Sequence, residues 1–435
     1  MASPACPTSC YCLPHTAPLA NFIGIAVICG TVSSRSILHL DLDTFFVSVE
    51  RLLDSRLEGI PILIGGPSDR GVVAACSYEA RRFGVRSGMP MRMARALCPE
   101  ATLIRGNSAN YVHHSRAVTD IVRESVPVCE KASIDEFYAD LTGMDRFYGC
   151  LAFSGELKDR IIRETGLPIS FGLSSNKTTS KVATGEGKPL GAMHVEQGGE
   201  RGFLAPLSIR KIPMVGKRTY QTLRNLGIQR IATLQDVPIE MMERVLGKNG
   251  RVIWHKAHGH DDTPVVATRE RKSISSERTF ASDSTDVEKM RSTLLAMAEN
   301  LAFQLRSSRQ LTACVTLKVR YADFDTRTIQ VRVPSTAADH LLIPVVLNLF
   351  TRLYTRRVRV RLIGVRYSAL VEGGAQLNLF HVDKQREALY HAMDKMRAQF
   401  GARSIISAAG LSIRSIGGPN PFSGEPPIPL ANRRQ

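Results

Sequence analysis

From Ile37 onward the chain alternates short apolar runs with longer segments that carry one apolar face, the pattern of mixed strands and helices. Residues 37 to 46, Ile-Leu-His-Leu-Asp-Leu-Asp-Thr-Phe-Phe, read as an apolar strand interrupted by two carboxylates, Asp41 and Asp43. A second interrupted run, 132 to 141, carries Asp135, Glu136 and Asp140. Breaks near Pro189 and Gly191, and again between Asp261 and Arg271, divide the pattern into three bodies. The second of these consists of short helices joined by glycine turns, at Pro213 to Gly216 and at Leu246 to Gly250. That suits helix-hairpin-helix units, whose turns offer backbone N–H groups to a DNA phosphate, and equally an ordinary helical connector.

The third body follows directly from periodicity. Residues 273 to 281 read as a strand, followed by a helix whose apolar face is Val287, Met290, Leu294, Met297, Leu301 and Leu305. Strands at 313 to 321 and 327 to 333 flank a turn at Asp323 and Asp325. A second helix, whose apolar face is Leu341, Leu342, Val345, Val346, Leu349 and Leu353, precedes a strand from about Arg357. The order βαββαβ is that of a ferredoxin-like split fold, an antiparallel sheet with helices on one face. Period-two alternation assigns Lys318, Arg320, Arg332, Arg357, Arg359 and Arg361 to the face away from the helices. No acid stands among those positions, so the face is expected to track a phosphate backbone, and without an aromatic ladder duplex suits it better than stacked single strand.

Charge agrees with that reading. The 435 residues hold 57 Lys and Arg against 40 Asp and Glu, a formal charge of +17, which points to a polyanion, either nucleic acid or an anionic membrane. No stretch is long and apolar enough for a spanning helix, since Leu19 to Val32 is short and interrupted by Asn21, Gly24 and Gly30. Nine cysteines without a regular framework suit a reducing compartment, and the chain is expected to be soluble and cytoplasmic. Four of them lie in the first thirty residues, with His15 nearby, but their spacing is poor for zinc. Residues 1 to 36 lack periodicity and are expected to be a disordered leader or an over-extended start.

The acid-bearing runs are the candidate chemistry. Carboxylates inside apolar strands are costly unless a cation or metal offsets them. Two such strands side by side would offer oxygen-only ligands, the donor set of magnesium, and paired ions there would serve phosphoryl transfer. Between the runs, residues 77 to 90 form a basic helix and a glycine-punctuated loop, in which Tyr78 and Arg81 lie three apart. Farther on, Lys177 and Lys181 share a helix face. Together these groups suit a triphosphate.

The segments HLDLDTFFVSVE (39 to 50), SYEARRFGVRSGMP (77 to 90), ASIDEFYADLT (132 to 142) and SSNKTTSKVAT (174 to 184) resemble, in order and spacing, the signatures of Y-family DNA polymerases, most nearly the bacterial DNA polymerase IV type. The resemblance implies an α+β multidomain right hand. Its palm would be 37 to 44 with 107 to 189, its fingers 45 to 106 and its helix-hairpin-helix thumb 190 to 264. A linker at 265 to 272, a little finger at 273 to 372 and a tail at 373 to 435 would follow. It further implies two Mg2+ ions on Asp41, Asp135, Glu136 and the Leu42 carbonyl. Phe46 would be a steric gate against the 2′-hydroxyl, and Tyr78, Arg81 and Lys181 would contact the triphosphate. Asp43 and Asp140 are expected to be structural. The implied partners are primer-template DNA, deoxynucleoside triphosphates and a sliding clamp, with low fidelity, lesion bypass and no proofreading, in a monomer. In the tail, Gln376, Leu379 and Phe380 follow a Gly-rich link and suit an apolar pocket on the clamp, or packing on their own domain. Ala75 stands where the family commonly has Thr or Ser, Met214 where the thumb hairpin commonly has Gly, and Thr184 to Glu186 also depart. A scaffold of the same fold that has lost catalysis, and a palm-type nucleotide cyclase, are the competing readings.

Overall fold

The computed structural model describes residues 35–68, 70–146, 149–268, 270–373, 384–401 and 404–411. The first body opens with β1 (Ile37–Leu42) and α1 (Phe45–Leu53). Then come β2 (Ile62–Gly65), β3 (Val73–Cys76), α2 (Tyr78–Arg82), α3 (Met91–Leu97) and β4 (Thr102–Ile104). It continues with α4 (Ser108–Ser125), β5 (Val128–Lys131), β6 (Glu136–Asp140) and α5 (Cys150–Thr165). β7 (Ile169–Ser174), α6 (Lys177–Gly187) and β8 (Ala192–His194) complete it.

Alternation in β1 decides the architecture of this body. Its even residues Leu38, Leu40 and Leu42 enter a core with Phe137, Phe171, Val118, Ile121, Leu157 and Ile161, contributed by β6, β7, α4 and α5. Its odd residues face α6, where His39 Nδ1 lies 2.8 Å from Thr184 Oγ1. Both neighbours of β1 run antiparallel to it, in a sheet ordered β5-β6-β1-β7-β8. The two acid-bearing runs therefore do lie side by side, with Asp41 opposite Glu136. The sheet also extends past the break expected at Pro189 and Gly191, because β8 pairs with β7. A smaller sheet, β3-β2-β4, holds its own core of Leu63, Val73, Cys76, Val85, Met91 and Cys98.

The second body is helical: α7 (Glu200–Leu204), α8 (Lys217–Asn225), α9 (Ile231–Gln235), α10 (Ile239–Leu246) and α11 (Lys248–Ala257). Hairpins precede α8 and α11, as the glycine turns predict. Met214, standing where a glycine is common, holds φ at +80° and stays exposed, so the turn keeps its left-handed shape despite the side chain. Such a conformation costs about 1 kcal/mol or more.

The third body has the expected order: β9 (Ser273–Ser284), α12 (Val287–Ser307), β10 (Gln310–Tyr321), β11 (Thr326–Thr336), α13 (Asp339–Leu353) and β12 (Val360–Glu372). The antiparallel sheet runs β11-β10-β12-β9. Lys318, Arg320 and Arg332 alternate with buried or partly buried apolar neighbours, as predicted. The last strand begins later than predicted, so Arg357 and Arg359 lie in the connection before it. Arg361 sits at a register shift and lies over the Phe324 ring at 4.6 Å. An acid does join the face, because Glu277 of β9 pairs with Lys318 at 2.9 Å, while Arg366 extends the cationic row. A final helix, α14 (Lys384–Phe400), packs on this body through Arg306, which bridges Asp339 at 2.9 Å and Asp394 at 2.6 Å.

The distance between α6 and the sheet is set by Gly172 of β7. A Cβ there would lie 2.2 Å from the Ser180 carbonyl oxygen, so Gly172→Ala must push helix and sheet apart. It is expected to destabilise the protein by about 1 to 3 kcal/mol, read as a shift in the urea midpoint at unchanged slope.

Candidate active site

The carboxylates gather where β1 and β6 meet. Asp135 immediately precedes β6, and its carbonyl accepts the Leu42 N–H at 3.1 Å, which ties the two acid runs together. Ser133 shapes the turn: its hydroxyl donates to the Asp135 carboxylate at 2.5 Å and accepts the Glu136 N–H at 3.0 Å. Asp43, almost fully buried, takes a different part from Asp41. It accepts the Ser170 hydroxyl at 2.8 Å and the Leu190 N–H at 2.7 Å. These bonds tie Asp43 to β7 and to the turn after α6.

Lys188 is the residue that sequence reasoning missed. Its ammonium is hydrogen-bonded to Asp41 and lies 3.4 Å from Asp43. Only its place just before Pro189, outside every quoted signature, kept it from notice. Lys181, expected to contact the triphosphate with Tyr78 and Arg81, lies 2.5 Å from Glu136. Lys177 is buried against Glu130 at 2.7 Å and over the Tyr138 ring. Thus one helix end sends two lysines to two different carboxylates.

A cavity of about 490 Å³ opens beside Asp41 and Asp135, lined also by Phe46, Ala75, Arg81 and Lys188. Phe46 forms a rigid wall, since its ring stacks on Tyr111 at 4.3 Å, and the Tyr111 hydroxyl donates to Glu50 at 2.5 Å. The Tyr78 hydroxyl is buried without a hydrogen-bond partner among the described residues, and Arg81 lies over the Tyr78 ring at 5.0 Å. A second cavity of about 310 Å³ lies beside Glu136, lined by Lys181, Tyr138, Lys256 and Pro213 of the second body.

Burial is the largest influence on the acids. It pushes Asp41 up to about 6, with Glu136 and Asp135 adding to the effect and Lys188 opposing it. Burial likewise raises Asp135, against the Ser133 hydrogen bond. Burial works against the Lys188 ammonium, but Asp41 and Asp43 hold its pKa above the ordinary lysine value. His39 is kept neutral, first by burial and then by the neighbouring lysines. The donor set is therefore oxygen-only, crowded with negative charge and already drawing in two ammonium groups, which fits hard divalent cations. Among the described residues no three such side chains converge closely enough to hold an ion as they stand. The clamp-binding candidates Gln376, Leu379 and Phe380 lie outside the described residues.

Residues 40–185 match the model of the impB/mucB/samB family and residues 271–379 that of the same family's C-terminal domain. The chain is 36% identical over 378 residues to a DNA polymerase IV of Dehalococcoides mccartyi, covering 86% of this chain and 97% of that one. A DNA polymerase IV of Halorhodospira halophila is 39% identical over 352 residues, covering 80% and 98%. A crystallised Y-family DNA polymerase chimera shares the fold with a TM-score of 0.70 at 24% identity, covering 78% of this chain and all of that one. An insertion ternary complex of Dbh DNA polymerase, also at 24% identity, has a TM-score of 0.58 with the same coverage. With its acid pair, the cavity beside that pair and its two family domains, the chain belongs to the Y-family DNA polymerases, of the DNA polymerase IV type.

Proposed function

We propose that this polymerase extends a primer by attack of its 3′-hydroxyl on the α-phosphorus of a deoxynucleoside triphosphate, releasing pyrophosphate. The observation that carries the reading is the facing of Asp41 and Glu136 across β1 and β6, with Asp135 at the mouth of the cavity that Phe46 and Arg81 line. Asp41, Asp135, Glu136 and the Leu42 carbonyl would hold two Mg2+ ions. Bound there, such ions supply charge neutralisation at the transferred phosphoryl group and its attacking and leaving oxygens.

The protein's own groups do the positioning. Arg81 and Lys188 bring positive charge to the cavity that would take the triphosphate, and the buried, unpartnered Tyr78 hydroxyl would donate to a phosphate oxygen. Phe46, backed by Tyr111, presents a fixed ring where a ribose 2′-hydroxyl would fall. Lys181 would serve the strand side, next to Glu136. Lys318, Arg320, Arg332, Arg361 and Arg366 would meet the duplex backbone, with Arg357 and Arg359 beside the sheet. The family resemblance supports low fidelity, bypass of damaged templates and the lack of proofreading. It also supports a sliding clamp taken by Gln376, Leu379 and Phe380. We place the enzyme in the cytoplasm as a monomer, as the family resemblance implies.

The competing reading is a DNA-binding scaffold without catalysis. Primer extension with Mg2+ separates the two: the wild-type protein extends, and Asp135→Ala with Glu136→Ala lowers the rate by about a thousandfold or more. Equal inactivity of both would establish the scaffold. Phe46→Ala is expected to raise ribonucleotide insertion relative to deoxynucleotide by about a hundredfold, the usual limit of steric rejection of one hydroxyl. Ala75 lines the cavity beside Asp41, so Ala75→Thr would bring a hydroxyl to that cavity. It should lower the nucleotide KM by about tenfold at little change in kcat, as one charge-assisted hydrogen bond would. An unchanged KM would remove Ala75 from the pocket's recognition surface.

A further inference from the structure

In the structure two carboxylates of the site are engaged by ammonium groups. Lys188 is bonded to Asp41 and lies 3.4 Å from Asp43, Lys181 lies 2.5 Å from Glu136, and Asp135 is turned to Ser133. Four carboxylates thus crowd one partly buried cluster, with two lysines against them. The two lysines also stand at different openings. Lys188 lines the cavity shared with Arg81 and Phe46, whereas Lys181 lines the second cavity, between Glu136 and Pro213. The other lysines there are committed elsewhere, Lys131 to the Thr119 hydroxyl at 2.9 Å, Lys177 to Glu130 at 2.7 Å and Lys256 to Asp261 at 3.0 Å.

We propose that Lys188 and Lys181 are exchangeable counter-ions. Each neutralises a metal-binding carboxylate in the free protein and yields it to a divalent ion when a substrate phosphate takes over the ammonium. Metal and substrate binding are thereby coupled, through Lys188 for the nucleotide and through Lys181 for the DNA strand. The proposal rests on the polymerase reading above. An ammonium and a divalent ion compete for the same carboxylate oxygens and repel one another at close range. Adding a phosphate gives every charge a partner, so the three-way arrangement is favoured over either pair with a stranded ion. Lysine suits this exchange better than arginine, because its ammonium is a compact point charge on a flexible stem and has no planar fork to satisfy. The strands need not move, since Asp41 and Glu136 are already opposite one another.

Manganese(II) binding to the full-length protein, counted by the electron-spin resonance of the free ion, tests the exchange in Lys188→Met and Lys181→Met. Without substrates both variants are expected to bind Mn2+ about two- to fivefold more tightly than wild type, the scale of one partly exposed ion pair. With a dideoxy-terminated primer-template and a deoxynucleoside triphosphate, wild-type Mn2+ binding should tighten markedly. Lys188→Met should lose the gain given by nucleotide and Lys181→Met the gain given by DNA. Free-protein Mn2+ affinity equal to or weaker than wild type would overturn the proposal. Thermal unfolding in chelator and in Mn2+ covers variants that fold poorly. A variant that folds only with Mn2+ supports the exchange, and one that stays unfolded with Mn2+ refutes it, since the lysine is then a structural prop. Wild-type primer extension is scored separately. Extension without the Mn2+ differences defeats the exchange alone, and its failure defeats the polymerase reading while the metal competition is still read.

Discussion

The facing of Asp41 and Glu136 is the constraint around which the first body is arranged. Like charges directly opposite on an antiparallel pair are unfavourable, and burial makes them more so. The surroundings offset that cost in three ways. Lys188 and Lys181 each take one carboxylate, Ser133 holds Asp135 and the start of β6, and Gly172 lets α6 lie close enough for the lysines to reach. Without the close approach at Gly172, Lys181 and Lys188 would stand off the sheet and the acid pair would be left to water. Local backbone geometry and site electrostatics are therefore one requirement.

The acids were legible in the sequence because strands have a period of two and carboxylates within apolar strands are costly to ignore. The pairing of β1 with β6 followed from that logic, as did α2 with its glycine-bounded loop and the alternation of β10 and β11. The lysines were not legible in the same way. Lys177 and Lys181 are four apart on α6 and share a face, yet one is buried against Glu130 and the other reaches Glu136. Which acid a helical lysine meets depends on the angle and height at which the helix crosses the sheet, and helical period alone does not contain these. Lys188 was harder still, since it follows the helix and depends on a turn whose anchor, Asp43, is distant in sequence.

The outer bodies show the same division. Spacing in the third body correctly assigned Lys318, Arg320 and Arg332 to one face, but its strand ends were set by tertiary pairing. β12 takes its register from both β10 and β9, which leaves Arg357 and Arg359 before the strand and brings Glu277 beside Lys318. That local ion pair trims the positive field without abolishing it, because Arg320, Arg332 and Arg366 still stand along the same face. The first and third bodies also touch, through Arg70 and Asp283 at 2.6 Å, a contact between segments 213 residues apart that periodicity has no means to foresee. In the second body Met214 shows the reverse case. Here the fold imposed a glycine-like conformation on a residue that resists it, so the departure in sequence did not become a departure in backbone.

Asp41 and Asp43 look equivalent in the sequence, two acids one step of alternation apart. Their separation of roles is the most informative result of the structure. β1 ends at Leu42, so Asp43 has already left the strand and turns inward, where Ser170 and the Leu190 N–H hold it. Asp41 remains on the strand, at the cavity, with its carboxylate shared between burial and Lys188. Asp43 thus anchors the turn that carries Lys188, and Lys188 in turn governs the charge felt by Asp41. One acid is exposed to chemistry because the other has been withdrawn from it. If the strand ran one residue further, the same two-residue spacing would set Asp43 on the face that Asp41 occupies.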